Sequence, residues 1–183
     1  KRLCNLPYIV HTYALEIMQA KNQKLVASIL QNADRIITIS EFTKASILKL
    51  GVNCETIRKV LPGICLDEFH PDIDASNIID KYNLSGKKGI LTIGRLDANE
   101  QYKGQDMVIK AMPDILQVVP SAVYVIGGDG SDRGRLENLA KEVGVTDKVL
   151  FTGWIPEAEK PAFYAACEVF AMPSREIVQK SPL

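Results

Sequence analysis

The chain has 183 residues, 46% hydrophobic and 24% charged, with 22 basic residues balancing 22 acidic ones. That size and mixture fit a globular protein of one to two domains, and zero net charge gives no reason to expect a nucleic-acid partner. No run is apolar enough to span a bilayer, no signal peptide is visible, and Cys4, Cys54, Cys65 and Cys167 form no CxxC pair and stand at no zinc-ligand spacing from His11 or His70. The expectation is therefore a cytoplasmic protein with reduced thiols and no metal.

Residues 8–12 (YIVHT) read as a strand behind a proline, and residues 15–33 as a helix with Leu25, Val26, Ile29, Leu30 and Ala33 on one face. Residues 35–39 (RIITI) follow as a buried-type strand. Ser40 stands where an N-cap would serve a helix over 41–50, and Gly51 where a C-terminal cap would close it. Residues 56–61 make a third short strand. The alternation of strand and helix predicts a parallel sheet covered by helices. Pro62, Gly63, Pro71 and Asp72 mark an irregular boundary.

Beyond it, residues 76–82 read as a short helix, and a second α/β unit starts at Gly89. Ile90 to Ile93 form a short, largely apolar run rich in β-branched residues, Gly94 ends that strand, and a polar loop leads to a helix opening at Gly104. Met107, Val108, Ala111, Met112, Ile115 and Leu116 are expected on its inner face. Strands follow at 122–126, 149–152 and 169–171, with helices at 132–143 and 158–166. The last strand ends in Met172-Pro173-Ser174, and Lys1 and Leu183 read as the ends of a piece of something longer.

The stretch from Gly89 to Gly104 carries the chemistry. It is strand, loop and helix with two cations, Arg95 and Lys103, in the loop. A helix entrance presents unpaired N–H groups and partial positive charge, so with a guanidinium and an amine it suits a diphosphate. The bland alternative is a pair of solvated surface charges. Gly128-Asp129-Gly130 with Gly134 spells GxGxxxG after a strand, but it follows the second strand of its unit, where a dinucleotide fingerprint belongs on the first. It is read as a turn that passes close to a ligand or to a neighbouring loop.

The order GRL…KG, GGDG…RLENLAKEVGV, VLFTGW and VFAMPS resembles the C-terminal domain of the family-4 retaining glycosyltransferases of GT-B fold. ADRIITISEFTKASILKLGV and PGICLDEFHPD are similar to the end of that family's N-terminal domain and its linker. The resemblance implies an α/β chain made of parts of two Rossmann-like parallel-sheet domains facing a cleft. Residues 1–61 would belong to the acceptor-side domain, 62–72 to the linker and 73–183 to the donor domain.

The resemblance also implies roles. Arg95 and Lys103 would bind the donor's diphosphate and stabilise its departure, flanked by Gly94 and Gly104, with Gly128, Thr152 and Gly153 also on the donor. Phe151 reads as core, while Trp154 would cover the base or cap the sheet. His11 and Tyr13, on one face by strand alternation, are candidates on the sugar and acceptor side. There the family often has His-Gly-x-Glu, and this chain has Tyr13 and Ala14 in the His and Gly places. The family's paired glutamates do not appear; Glu176 lacks the GFG that should follow it.

The implied function is sugar transfer from a nucleotide-diphosphate-sugar to a carbohydrate or lipid-linked acceptor in glycan or polysaccharide biosynthesis. No cofactor or metal is expected, peripheral contact with the inner membrane face stays open, and this stretch alone is expected to be inactive. The rivals are a nucleotide-sugar epimerase of the same fold, a non-catalytic nucleotide-sugar-binding protein and, further off, a nicotinamide-dependent oxidoreductase. The oligomeric state, donor base, sugar and acceptor are not legible.

Overall fold

The computed structural model describes residues 6–13, 15–18 and 20–175. They form two compact units, Lys1–Ile64 and Cys65–Leu183.

The first unit is a parallel sheet of β1 (Ile9–Thr12), β2 (Arg35–Thr38) and β3 (Ile57–Lys59), in that order. Its helices are α1 (Leu15–Met18), α2 (Gln23–Gln31) and α3 (Glu41–Leu48). The single helix expected over 15–33 is thus broken. The Asn22 side chain accepts the N–H of Leu25 at 3.0 Å and starts α2 afresh, which an uninterrupted helix would not permit. The inner row of α2 is Val26 and Leu30, continued by Ala33, packed on Ile36, Ile47 and Ile57. Leu25 and Ile29, expected on that face, lie at its rim and are 56% and 44% exposed. Ser40 caps α3 as expected, accepting the N–H of Thr43 at 3.1 Å. That helix ends at Leu48, and Gly51 takes a left-handed φ of +76°. The third strand is shorter than expected, three residues long.

The second unit holds four parallel strands, β4 (Lys88–Ile93), β5 (Ala122–Gly127), β6 (Val149–Gly153) and β7 (Val169–Phe170). Around them lie α4 (Ser76–Lys81), α5 (Gln105–Val118), α6 (Arg133–Glu142) and α7 (Lys160–Ala165). Every residue of β5 is buried, which explains its unbroken apolar sequence: helices cover both faces of a parallel sheet. On one face Tyr124 and Ile126 meet Ile109, Met112, Leu136 and Ala140 of α5 and α6. On the other, Leu91 and Val125 meet Ile78 of α4 and Phe163 of α7. The inner face of α5 is set by Val108, Ile109 and Met112; Met107 and Ala111, expected there, are exposed.

The strand order is β6-β5-β4-β7. The chain begins in the middle with β4, adds β5 and β6 on one side, then crosses back to lay β7 on the other side. That reversal puts a topological switch point between the carboxyl ends of β4 and β7, where open α/β sheets bind ligands.

Candidate functional site

The loop after β4 carries Gly94 and Arg95, then a 3-10 segment, Ala98–Lys103, and enters α5 through Gly104. The Lys103 side chain folds back over the strand end. Its Nζ lies 3.5 Å from the carbonyl oxygen of Arg95, and a side chain at Gly94 would meet its stem at 3.7 Å. The two cations expected at the site are therefore brought together, with the Lys103 side chain 15% exposed and that of Arg95 75% exposed. Between them sits an internal anion. Glu100 accepts a hydrogen bond from the Arg95 guanidinium on one carboxylate oxygen and from the Lys103 amine on the other. The pair thus already holds a two-oxygen anion, the geometry a phosphate offers.

The glycine-rich turn after β5 packs on this loop. Gly128, at φ +128°, lies so close to the Gly94 carbonyl that a Cβ would overlap it, and Gly130, at φ +150°, stands likewise against the Leu96 carbonyl. Leu96 donates to the Asp129 carbonyl at 3.0 Å and accepts from the Asp132 N–H at 2.8 Å. Gly134 has nothing within 4 Å of where its Cβ would be. Of the two readings of this turn, close approach to a neighbouring loop is the one its contacts display.

At the end of β6, Thr152 Oγ1 donates to the Ile126 carbonyl at 3.3 Å, and the Gly153 carbonyl accepts the Gly128 N–H at 2.7 Å. Phe151 packs against the core, and the Arg133 guanidinium carbon lies 5.8 Å from its ring centre. Trp154 is 75% exposed just beyond.

Across the switch point, the segment after β7 joins the same loop. Thr92 donates to the Ala171 carbonyl at 2.5 Å. The Pro173 carbonyl sits where a Gly104 side chain would be, and Gly104 has a φ of +82°, so glycine is required there on both counts. The Arg175 N–H donates to the Tyr102 carbonyl at 2.8 Å, and its guanidinium grips both carboxylate oxygens of buried Asp106 at 2.8 and 2.9 Å. Burial alone would raise the Asp106 carboxyl, but the hydrogen bonds and charge of Arg175, with the charges of Arg135 and Lys110, outweigh it and hold the group below the usual carboxylate range. Sequence reasoning missed this pair. The adjacency of Arg175 to the expected Pro173-Ser174 end was its one signal; its partner lies 69 positions away.

In the first unit, the rings of His11 and Tyr13 lie 4.7 Å apart, on one face as alternation predicts. A pocket of about 220 Å³ borders His11, with Thr12, Glu16, Val26 and Leu30 among its walls. Cys4, Ala14 and Glu176, each weighed from sequence, lie outside the described residues. Among the described residues, no group of three His, Cys, Asp or Glu side chains is placed to hold a metal ion, and no helix is long and apolar enough to cross a membrane.

Parallel α/β units with glycine-rich strand ends and a switch point beside a helix entrance define a Rossmann-like class of domain. The chain belongs to the glycosyl transferases group 1 family, whose profile matches residues 74–177. It is 33% identical over 145 residues to a GDP-mannose-dependent alpha-(1-6)-phosphatidylinositol monomannoside mannosyltransferase of Mycolicibacterium smegmatis, an alignment covering 79% of this chain and 37% of that one. It is 28% identical over 161 residues to an alpha-monoglucosyldiacylglycerol synthase of Streptococcus pneumoniae, covering 85% of this chain and 35% of that enzyme. The fold matches Anabaena HepE, solved in complex with UDP, with a TM-score of 0.76 at 19% identity, over 92% of this chain and 47% of that one. These neighbours are GT-B glycosyltransferases, and GT-B is the fold class of this chain. The chain spans little more than a third of the length of these two curated relatives.

Proposed function

We propose that the protein carrying this chain is a retaining glycosyltransferase that moves a hexosyl group from a nucleotide-diphosphate-sugar to a lipid-linked or carbohydrate acceptor. The observation that carries this reading is the convergence of Arg95 and Lys103 on one carboxylate at the switch point between β4 and β7. The names of the two relatives, a phosphatidylinositol monomannoside mannosyltransferase and a monoglucosyldiacylglycerol synthase, support the hexosyl and lipid-linked parts.

In this mechanism the bond between the anomeric carbon and the diphosphate oxygen breaks, and negative charge collects on the departing phosphate. The acceptor hydroxyl attacks the same face of an oxocarbenium-like centre. Its oxygen forms the new bond, and its proton passes to the leaving phosphate oxygen. Arg95 and Lys103 stabilise the leaving charge more than the bound donor, so their effect falls on rate as well as on affinity. Gly94, Gly104, Gly128, Thr152 and Gly153 shape the donor side through their backbone, and His11 and Tyr13 are the candidates for sugar contact.

The test is calorimetric titration of the full-length protein with GDP and with UDP. Arg95→Ala is expected to weaken the preferred diphosphate sharply and to lower turnover by roughly 10²–10³-fold, the scale for losing one preorganised charge-stabilising donor. Unchanged binding would refute the assignment.

A further inference from the structure

Lys103 is bracketed by its chain neighbours. Tyr102, immediately before it, gives its carbonyl to the Arg175 N–H at 2.8 Å, and Gly104, immediately after it, lies against the Pro173 carbonyl. The backbone that carries the amine is therefore hydrogen-bonded on one side to the segment following β7 and packed closely against it on the other. Thr92 fastens the start of that segment at Ala171, and its far end is fastened by the two parallel hydrogen bonds from Arg175 to Asp106 in the first turn of α5. We propose that Arg175 and Asp106 are positioning residues that set Lys103 for the donor's diphosphate, and so act on the sugar-transfer step without touching the donor. This rests on the donor-site reading given above.

Three features favour positioning over general support. Asp106 is 6% exposed with the guanidinium on it, and a bidentate fork in that setting fixes direction as well as distance. The anchored points are the two peptide neighbours of Lys103, not the ends of a distant helix. The clamp also spans the switch point, joining the strand-end loops that a ligand there would meet. A shift of the loop moves the amine relative to a phosphate, and misplacement of about 1 Å can cost on the order of 10²-fold in rate.

The experiment compares diphosphate with monophosphate. The full-length protein and its Arg175→Ala, Arg175→Lys, Asp106→Asn and Lys103→Ala variants are titrated with GDP, GMP, UDP and UMP. The second phosphate is the difference within each pair, so the affinity ratio isolates the cation that meets it. Arg175→Ala is expected to lower the diphosphate-to-monophosphate ratio about tenfold or more, toward the Lys103→Ala value, with monophosphate binding unchanged. Arg175→Lys, which cannot reproduce the fork, is expected to fall between. If Arg175→Ala does not fold, Arg175→Lys and Asp106→Asn carry the same comparison. A ratio equal to the parent protein's, or an equal loss for both phosphates, overturns the proposal while leaving the donor site standing. An unchanged ratio in Lys103→Ala removes the donor-site reading itself, and the proposal with it.

Discussion

Glu100 and Lys103 face each other within one turn of a 3-10 segment, and the carboxylate they share with Arg95 fills the space between the two cations. The segment departs from helical geometry at Glu100, where φ is −112° and ψ is 24°, and that local break aims the side chain inward. On the proposed donor-site reading, an incoming diphosphate displaces this carboxylate. Releasing the cations from this carboxylate is expected to let Glu100→Gln bind GDP or UDP about fivefold more tightly, the scale of about 1 kcal/mol for the exposed Arg95 pair alone. Calorimetry at low salt reads this directly. Weaker binding in the variant would mean that Glu100 aligns the cations rather than competing for them.

The glycines of the turn after β5 separate by role. Gly128 has a φ of +128° and no room for a Cβ beside the Gly94 carbonyl, whereas Gly134 sits in α6 with open space around it. Gly128→Ala is expected to destabilise by about 2 kcal/mol or more, from strained backbone and displacement of the loop bearing Arg95. Gly134→Ala is expected to stabilise by about 0.5–1 kcal/mol, because alanine restricts the unfolded chain and favours helix. Urea unfolding of both variants checks the pair. A stable Gly128→Ala protein with unchanged diphosphate binding would show that the two loops need not touch.

Periodicity located β4 and β5 well because β5 is buried throughout and β4 is buried or half-buried over most of its length, which keeps both runs largely apolar. It also foresaw that Arg95 and Lys103 would converge, since they are tied to a strand end and a helix start that are both local patterns. It failed where local rules compete. Apolar residues on both sides of Asn22 suggested one helix, but the Asn22 side chain was a better partner for the Leu25 N–H than a continued turn. Met107 and Ala111 matched a helical stripe that left out Ile109, which is fully buried, and only the position of the sheet decides among them. Glu100 between the cations and Arg175 on Asp106 depend on tertiary placement, and no spacing rule reports that.

Thr92 and Tyr124 form a buried polar pair in adjacent strands. The two hydroxyls lie 2.8 Å apart, and Thr92 donates onward to the Ala171 carbonyl, so Tyr124 is the donor to Thr92. This chain couples β5, β4 and the segment after β7 at the sheet's carboxyl end. Thr92→Val strands two groups, the Tyr124 hydroxyl and the Ala171 carbonyl, and is expected to cost about 2–4 kcal/mol. Tyr124→Phe removes one hydrogen bond and is expected to cost about 1 kcal/mol. Denaturant titration should return that order. The reverse order would mean that the tyrosine hydroxyl, not the threonine, carries the link.

Cys167 gives the fold an alkaline limit. Burial, helped by the negative charge of Glu168, pushes its thiol up from 9.0 to about 11. Its sulfur occupies space that Gly89 leaves open, since a Cβ there would lie 2.7 Å from it. Between those two values the unfolded chain has released this proton while the native chain retains it. The unfolded state therefore binds fewer protons, and stability falls as pH rises through that window. The melting temperature of the parent protein is expected to drop more steeply between pH 9 and 11 than that of Cys167→Ala, which lacks the group. At pH 8, alkylation should label the exposed Cys54 and Cys65 well before Cys167. Parallel melting curves for the two proteins across that window, or equal labelling rates, would show that the thiol is open to water in the native state.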